Sequence, residues 1–321
     1  MPENKSPFFS VIIPVFNKEE HIKDTIQSVL DQKFDDFELI IVCDPSTDNS
    51  TKEVLKFSDS RISVFTRSKS GPGGYAARNL GIEKSAANWI CFLDADDEWE
   101  SNHLKLAHKH IQDVKAPDCI VFSFKEIKNN SFSDKTFFES KTLLTRIDSL
   151  KMLSRKDFIH TNSIVIKKNA LIEIGKFPDS EKYSHGGDVD TWLRLILNKY
   201  KILYIPSATS NYFKGKSDVT TNLSSMCNEH PVNDTIDTFC YQNLSLKEKY
   251  YLSVLYNRKL LSVLSFRKMN KKICLKNIFL IRFYALNFTM IFKILAILIL
   301  PAHSFTQLSG YSIRNNSVFT R

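Results

Sequence analysis

The stretch Phe92–Glu100, FLDADDEWE, places three aspartates, Asp94, Asp96 and Asp97, within four positions directly after the apolar run Trp89–Leu93. Like charges repel, and a buried carboxylate without a partner is costly, so these groups must be solvated, cap a helix or hold a cation. A helix cap needs one acceptor, and here there are three. The crowding therefore points to a cation held where a strand ends, and the flanking sequence must supply that strand and its neighbours.

It does so by alternation. Ser10–Ile13 reads as a first strand; Asn17 followed by Glu20 has the form of a capping box, and Ile22, Ile26, Val29 and Leu30 then share one helical face. Further strands are expected at Glu38–Cys43, Arg61–Phe65, Trp89–Leu93 and Cys119–Phe124, with helices from about Asp48, over Tyr75–Ala86 and near Asn102–Gln112. Strands rich in Ile, Val and Phe without strict alternation, separated by amphipathic helices, predict an α/β fold with a mainly parallel sheet covered on both faces. Residues 129–149 turn polar; a strand at Ser163–Ile166, a short helix Lys168–Ile174 stopped by Gly175 and a helix Asp190–Leu197 follow. This divides the chain into a first half over 1–125, a second over 126–225 and a helical, basic tail over 226–321.

At 321 residues, 43% apolar and 25% charged, the chain has an ordinary globular composition. Its net charge of +9 is uneven: from Cys240 onward 13 Lys and Arg face a single acid, Glu248, so the body is mildly acidic. The six cysteines form no CxxC pair, and Cys43, Cys91 and Cys119 sit in apolar runs, which fits a reducing, cytoplasmic setting. Phe8–Phe16 is short, interrupted by Pro14 and lacks a cleavage site, so it reads as a strand and not a signal peptide.

In open parallel sheets ligands sit beyond the carboxyl ends of the strands, where both Asp44 and the Asp94–Asp97 group fall. Carboxylate oxygens are hard ligands, and Mg2+ or Mn2+ takes one or two of them and completes its shell with phosphate oxygens and water. A metal-bound diphosphate accounts for the crowding, although Asp44 within Asp-Pro-Ser-Thr-Asp is also good turn chemistry. Gly71-Pro-Gly-Gly-Tyr-Ala76 fits the G-x-G-x-x-A form of a dinucleotide fingerprint, which would make the protein a nicotinamide-dependent oxidoreductase. Against that, polar residues Thr66–Ser70 separate strand from glycines, and Asp96 and Asp97 have no part in a ribose site.

The ordered set SVIIPVFNKEEHIKDTIQSVLDQKF, FELIIVCDPSTDNS, GPGGYAARNLGIEKSAANWICFLDADD and GGDVDTWLRL resembles an inverting glycosyltransferase of family 2 with the GT-A fold, over about residues 8–215. The resemblance implies transfer of a hexose or N-acetylhexosamine from a nucleotide-diphosphate sugar, UDP-linked, to an acceptor hydroxyl. It implies that Asp44 contacts the nucleobase, that Asp94 and Asp96 are the acids of the DxD signature, and that Asp188 is the catalytic base. Asp96 and Asp97 are the candidate metal ligands, and Arg78 can reach the nucleotide or its phosphates; Arg78 and Asn79 read equally as a solvated helix edge. The chemistry asks for the same parts: a divalent ion neutralises the leaving diphosphate, and a carboxylate across the site takes the proton of the attacking hydroxyl. Asp190 reads as a complement to the helix dipole, Trp192 as core, and His108 and His110 as surface residues. Cys43-Asp44-Pro45-Ser46 and Gly187-Asp188 depart from the commoner Asp-Asp-Gly-Ser and Glu-Asp of the family, leaving a non-catalytic sugar-nucleotide-binding relative as the alternative.

In the tail, Phe283–Leu300 is an apolar run broken by Asn287 and Lys293 and ended by Pro301. Lys293 near its middle costs about 2.5 to 3.5 kcal/mol on an insertion scale. Eight basic residues between Arg258 and Arg282 precede it. Basic charge beside an apolar helix favours an anionic membrane surface over nucleic acid, as an interfacial helix or a single span near 283–300. Tail and site together point to a lipid-linked glycan acceptor, on a polyprenyl diphosphate, at the cytoplasmic face of a membrane, as in O-antigen and other surface polysaccharide synthesis.

Overall fold

The computed structural model describes residues 6–112, 117–129, 131–183, 185–215, 230–239, 241–269 and 280–299. Its first half follows the expected alternation: β1 Phe9–Val15, α1 Ile22–Leu30, β2 Phe37–Cys43, α2 Ser50–Val54, β3 Ile62–Thr66, α3 Tyr75–Lys84, β4 Trp89–Phe92. The strands lie parallel in the order β3-β2-β1-β4. The chain thus winds outward from β1 to β3 and returns to β1's other side, which leaves a switch point between β1 and β4. Crevices for ligands form at such points, outside the carboxyl ends of the strands.

The second half is mixed. After β5 Glu98–Trp99 and α4 His103–Gln112 come β6 Cys119–Lys128, β7 Ser131–Lys135, β8 Thr142–Leu144, α5 Arg146–Arg155, β9 Ile164–Lys167, α6 Lys168–Glu173, α7 Gly187–Leu197 and β10 Ile202–Phe213. Strand β9 inserts antiparallel between β4 and β6, β10 runs parallel to β6, and β5 and β8 pair antiparallel with β10. Parallel pairing therefore holds across β1–β4, while the antiparallel β9 makes the whole sheet, ten strands among the described residues, a mixed one.

Alternate residues of β1 divide the core. Phe9, Val11, Ile13 and Val15 pack with Ile22, Ile26 and Val29 of α1 and Leu104 of α4, whereas Ile12 joins the opposite layer with α3, α6 and α7. A β-carbon on Gly81 of α3 would come within 2.5 Å of the Ile12 side chain, so glycine there lets helix and strand approach. Trp192 of α7 is fully buried in this second layer, as expected of a core residue.

Two local readings change, and the cysteine reading holds for the described residues. Asn17 does not cap α1, whose N-cap is His21; it adopts φ 50° and its side-chain oxygen accepts from Thr47 N at 2.9 Å, tying two loops above the strand ends. His108 packs its ring on Phe8 and Phe34, at 4.7 and 4.8 Å between centroids, so it is half-buried rather than a free surface group. Cys43, Cys91 and Cys119 are buried free thiols; Cys227, Cys240 and Cys274 lie outside the described residues.

The tail contributes α8 Pro231–Thr238, α9 Leu246–Met269 and α10 Phe288–Ile299. Val232, Ile236, Leu252, Leu255, Leu261 and Leu264 join the same apolar layer as α7. Arg146 Nε of α5 meets Glu248 of α9 at 2.6 Å, and Asp157 accepts from both Arg258 at 2.7 Å and Lys259 at 2.9 Å. Helix α10 buries Met290 and Ile297 and leaves Phe288, Ile291, Phe292, Leu295, Leu298 and Ile299 exposed. Its 12 residues make a helix of about 18 Å, and among the described residues no helix is long and apolar enough to cross a membrane.

Candidate active site

Asp44 and the Asp94–Asp97 group lie just past the carboxyl ends of β2 and β4, beside the β1–β4 switch point, and the charges of Asp94 and Asp188 act on shared neighbours there. Asp44 follows β2 and is buried; its Oδ1 accepts from Arg67 Nη1 at 2.6 Å and its Oδ2 from Gly71 N at 3.2 Å. The carboxylate thereby ties the exit of β3 and the glycine loop to β2. Gly73 and Gly74 adopt φ 62° and 69°, the left-handed region that side chains resist, and this turns the chain directly into α3. Instead of a tight strand-to-helix turn, the glycines form a separate loop whose first amide is spent on Asp44.

From α3, Arg78 reaches back into the crevice. It is buried, pairs through Nη2 with Asp94 Oδ1, donates from Nη1 to Gly73 O at 2.9 Å and lies 5.6 Å over the Phe177 ring. Burial works against its charge, but Asp94, Tyr75 and Asp188 together outweigh this and raise its pKa. Its neighbour Asn79 is buried too: Nδ2 donates to Phe177 O at 2.9 Å and Oδ1 accepts from Phe177 N at 3.0 Å, so it clamps a second-half loop instead of edging a solvated helix.

The three crowded aspartates divide their work. Asp94 is half-buried against Arg78, with its backbone N donating to Asn162 Oδ1 at 2.9 Å. Asp96 accepts from Lys18 Nζ at 2.9 Å, an ion pair across the switch point between the loops after β1 and β4. Asp97 turns inward: Asn162 Nδ2 donates to its Oδ2 at 2.5 Å and Phe213 N to its Oδ1 at 2.8 Å. Burial first, and then the charges of Asp96 and Asp94, push the Asp97 carboxyl well above the usual range. Asn162, at the start of β9, therefore holds the acidic loop at two points.

The first turn of α7 meets the start of α3. Gly186 adopts φ 80°, and the following Gly187 N donates to Tyr75 Oη at 2.9 Å, which fixes the helix start against α3. Asp188 makes no hydrogen bond or ion pair with the described residues. Its charge acts on Tyr75, Arg78 and His160, and the charge of Asp94 acts on the same three. Burial and then Asp188 raise the Tyr75 pKa. Asp190 is no exposed dipole partner: it is buried, accepts from Arg194 Nε at 2.9 Å and Thr235 Oγ1 at 2.5 Å, and burial raises its pKa despite Arg194.

Several crevice residues had no expected role: Lys18, Arg67, Tyr75, His160, Asn162 and Tyr212. Tyr75 lies inside the quoted GPGGYAARN stretch, a signal within reach; the others meet the aspartates through long-range packing. As a metal site, Asp94 and Asp96 offer hard oxygens, and each already faces a cation, Arg78 or Lys18. Among the described residues no group of three or more His, Cys, Asp or Glu forms a metal cage. Such a set fits Mg2+ or Mn2+ brought in with a diphosphate, which typically needs only one or two protein carboxylates.

Residues 10–174 match the family model described as glycosyl transferase family 2. Over 215 residues the chain is 28% identical to the UDP-Glc:alpha-D-GlcNAc-diphosphoundecaprenol beta-1,3-glucosyltransferase WfgD of Escherichia coli, covering 66% of this chain and 79% of that one. Another relative, 42% identical over 106 residues, is far longer, and the chain spans 15% of it. Two solved structures share the fold. S. aureus TarS 1–349 in complex with UDP-GlcNAc has a TM-score of 0.58 at 19% identity, covering 81% of each chain. The mannosyltransferase PcManGT of Pyrobaculum calidifontis, in complex with GDP-Man and Mn2+, also gives 0.58, at 16% identity, covering 97% of this chain and 86% of that one.

Proposed function

The chain belongs to glycosyl transferase family 2, and from that premise we propose that it transfers a hexose or N-acetylhexosamine, with inversion, from a UDP-sugar to a hydroxyl of a polyprenyl-diphosphate-linked glycan during surface polysaccharide synthesis. The observation that supports this reading is the pair of carboxylates Asp94 and Asp188, which come from separate elements, the loop after β4 and the first turn of α7, and whose charges both act on Tyr75, Arg78 and His160. The donor named for the Escherichia coli relative, and the UDP-GlcNAc held by TarS, support a UDP-sugar.

Asp44 and its Arg67 and Gly71 partners frame the nucleobase end. Asp96, with Asp94, would hold Mg2+ or Mn2+, which when bound neutralises charge building on the leaving diphosphate. Asp97 serves that role less well, because both of its oxygens are taken by Asn162 and Phe213; it holds the loop that presents Asp96. Lys18 and Arg78 add fixed positive charge beside the phosphates. On the other wall Asp188 accepts the proton of the acceptor hydroxyl as that oxygen attacks the far face of the anomeric carbon. A base must keep a lone pair available, and among the described residues no donor occupies that of Asp188.

The acceptor reading draws on the diphosphoundecaprenol acceptor in the relative's name and on α10. That helix exposes Phe288, Ile291, Phe292, Leu295 and Ile299 along one side. From Cys240 onward the chain has 13 basic residues and one acid, and beside that charge such a face suits the headgroup boundary of an anionic membrane, with the helix lying in the interface. Purified protein incubated with a panel of UDP-sugars, with and without lipid-linked acceptors, should release UDP only when both substrates are present. Binding of UDP-sugars without release under any pairing would favour a non-catalytic relative.

A further inference from the structure

Two aromatic side chains beside the acidic loop, next to Asn162 and Phe213 that bind it, take no part in the steps above. The His160 ring packs on Phe124 at 4.6 Å and on Tyr212 of β10 at 4.9 Å between centroids. Its backbone is pinned, because His160 O accepts from Ser163 N and from Ser163 Oγ, each at 3.0 Å. Its Nδ1 accepts from Asn162 N at 3.4 Å, which leaves the proton of the neutral ring on Nε2.

That Nε2–H and the Tyr212 hydroxyl have no hydrogen-bond partner among the described residues, although both residues are partly buried. They also sit within a field that acids dominate: Asp94, Asp188 and Asp96 act on His160 against the single guanidinium of Arg78, and Asp97, Asp94, Asp96 and Glu126 act on Tyr212. Two uncharged donors on an aromatic patch, ringed by carboxylates, are poorly suited to a phosphate or any other anion. They suit a neutral polyol with hydroxyl acceptors around its edge and a C–H face to lay on the rings.

We propose that His160 and Tyr212 form the subsite for the transferred pyranose, donating from Nε2 and Oη to its hydroxyls while the His160–Tyr212–Phe124 patch meets its C–H face, and that this subsite selects a neutral sugar over a hexuronate. The proposal rests on the nucleotide-sugar reading and adds the residues and the charge rule that choose the sugar. Tyr212 reaches the crevice only because β10 runs beside β6 into the acidic loop, where neighbouring Phe213 N binds Asp97.

Calorimetric titration of wild type, His160→Ala, His160→Gln and Tyr212→Phe with UDP, UDP-glucose, UDP-GlcNAc and UDP-glucuronate tests it. UDP affinity should stay within about twofold in every variant. Affinity for the preferred neutral UDP-sugar should fall about tenfold in His160→Ala and about three- to tenfold in Tyr212→Phe, a neutral hydrogen bond each. His160→Gln, which keeps an N–H donor, should recover most of the loss, and UDP-glucuronate should bind no tighter than UDP. Unchanged UDP-sugar affinity in both truncations would overturn the proposal, as would an equal loss of UDP affinity, which marks a structural role. Tight UDP-glucuronate binding would overturn the charge rule. Wild type that binds neither UDP nor any UDP-sugar would overturn the UDP-sugar reading beneath it.

Discussion

The two walls of the crevice are built on different supports. The Asp94–Asp97 wall hangs from the sheet: Lys18 beyond β1, Arg78 on α3, Asn162 before β9 and Phe213 on β10 each hold one of its carboxylates. The Asp188 side is one helical turn backed by the C-terminal helices, and its carboxylate makes no hydrogen bond or ion pair with the described residues. The contrast suits the proposed function. A diphosphate and its cation would need several charges fixed in place, as the held carboxylates are; a base would need one available lone pair at a set position, as a held helix turn with an unbonded carboxylate among the described residues offers.

Substitutions at the two walls should therefore fail in different ways. The largest effect is expected from Asp188→Asn, which removes the base but keeps its shape: turnover should fall about a thousandfold while UDP-sugar affinity stays within about twofold. Comparable loss of affinity would place Asp188 among the binding groups. Next, Asp96→Asn should weaken metal-dependent UDP-sugar binding about ten- to a hundredfold and make it insensitive to chelator. Affinity that is unchanged, and still lost on chelation, would move the metal elsewhere.

The support of the base wall can be tested through Glu248, whose side chain pairs α9 with Arg146 of α5. Arg146, then hydrogen bonds from Ser245, hold its carboxyl down at about 2, against partial burial. A depressed folded pKa gives stability that is fully present above the ordinary glutamate value and lost as pH falls from about 4.5 toward 2. Glu248→Gln should cost about 1–2 kcal/mol by urea unfolding at pH 7, with the gap to wild type closing toward pH 2. A gap independent of pH would remove the ion pair as its cause. The smallest effect is expected from Asp97→Asn. Its carboxyl is pushed toward the protonated form and holds the loop, so the amide should leave UDP-sugar affinity and metal dependence within about threefold; a loss like that of Asp96→Asn would return Asp97 to the metal.

Much of the donor wall was legible because it is local. Runs such as Leu39–Cys43 and Trp89–Leu93 announce buried strands, and an acid just past each lands on the carboxyl edge whatever the rest of the chain does. Less legible was what the aspartates touch. Asp97 turns inward because Asn162 and Phe213, 65 and 116 residues further on, arrive at its oxygens, and no local pattern encodes that meeting. Strand β9 escaped the parallel expectation for the same reason: a four-residue apolar run has no direction until its partners are chosen. Asn17 misled because an asparagine can serve a cap or a neighbouring loop equally well, and here the loop at Thr47 takes it.

The stereochemistry of the product tests the two-walled arrangement most directly. With an α-linked UDP-sugar and a lipid-linked acceptor, the proton coupling at the new anomeric centre, measured by NMR, should report a β-linkage in wild type. An α-linkage would contradict the placement of base and leaving group on opposite sides of the transferred sugar.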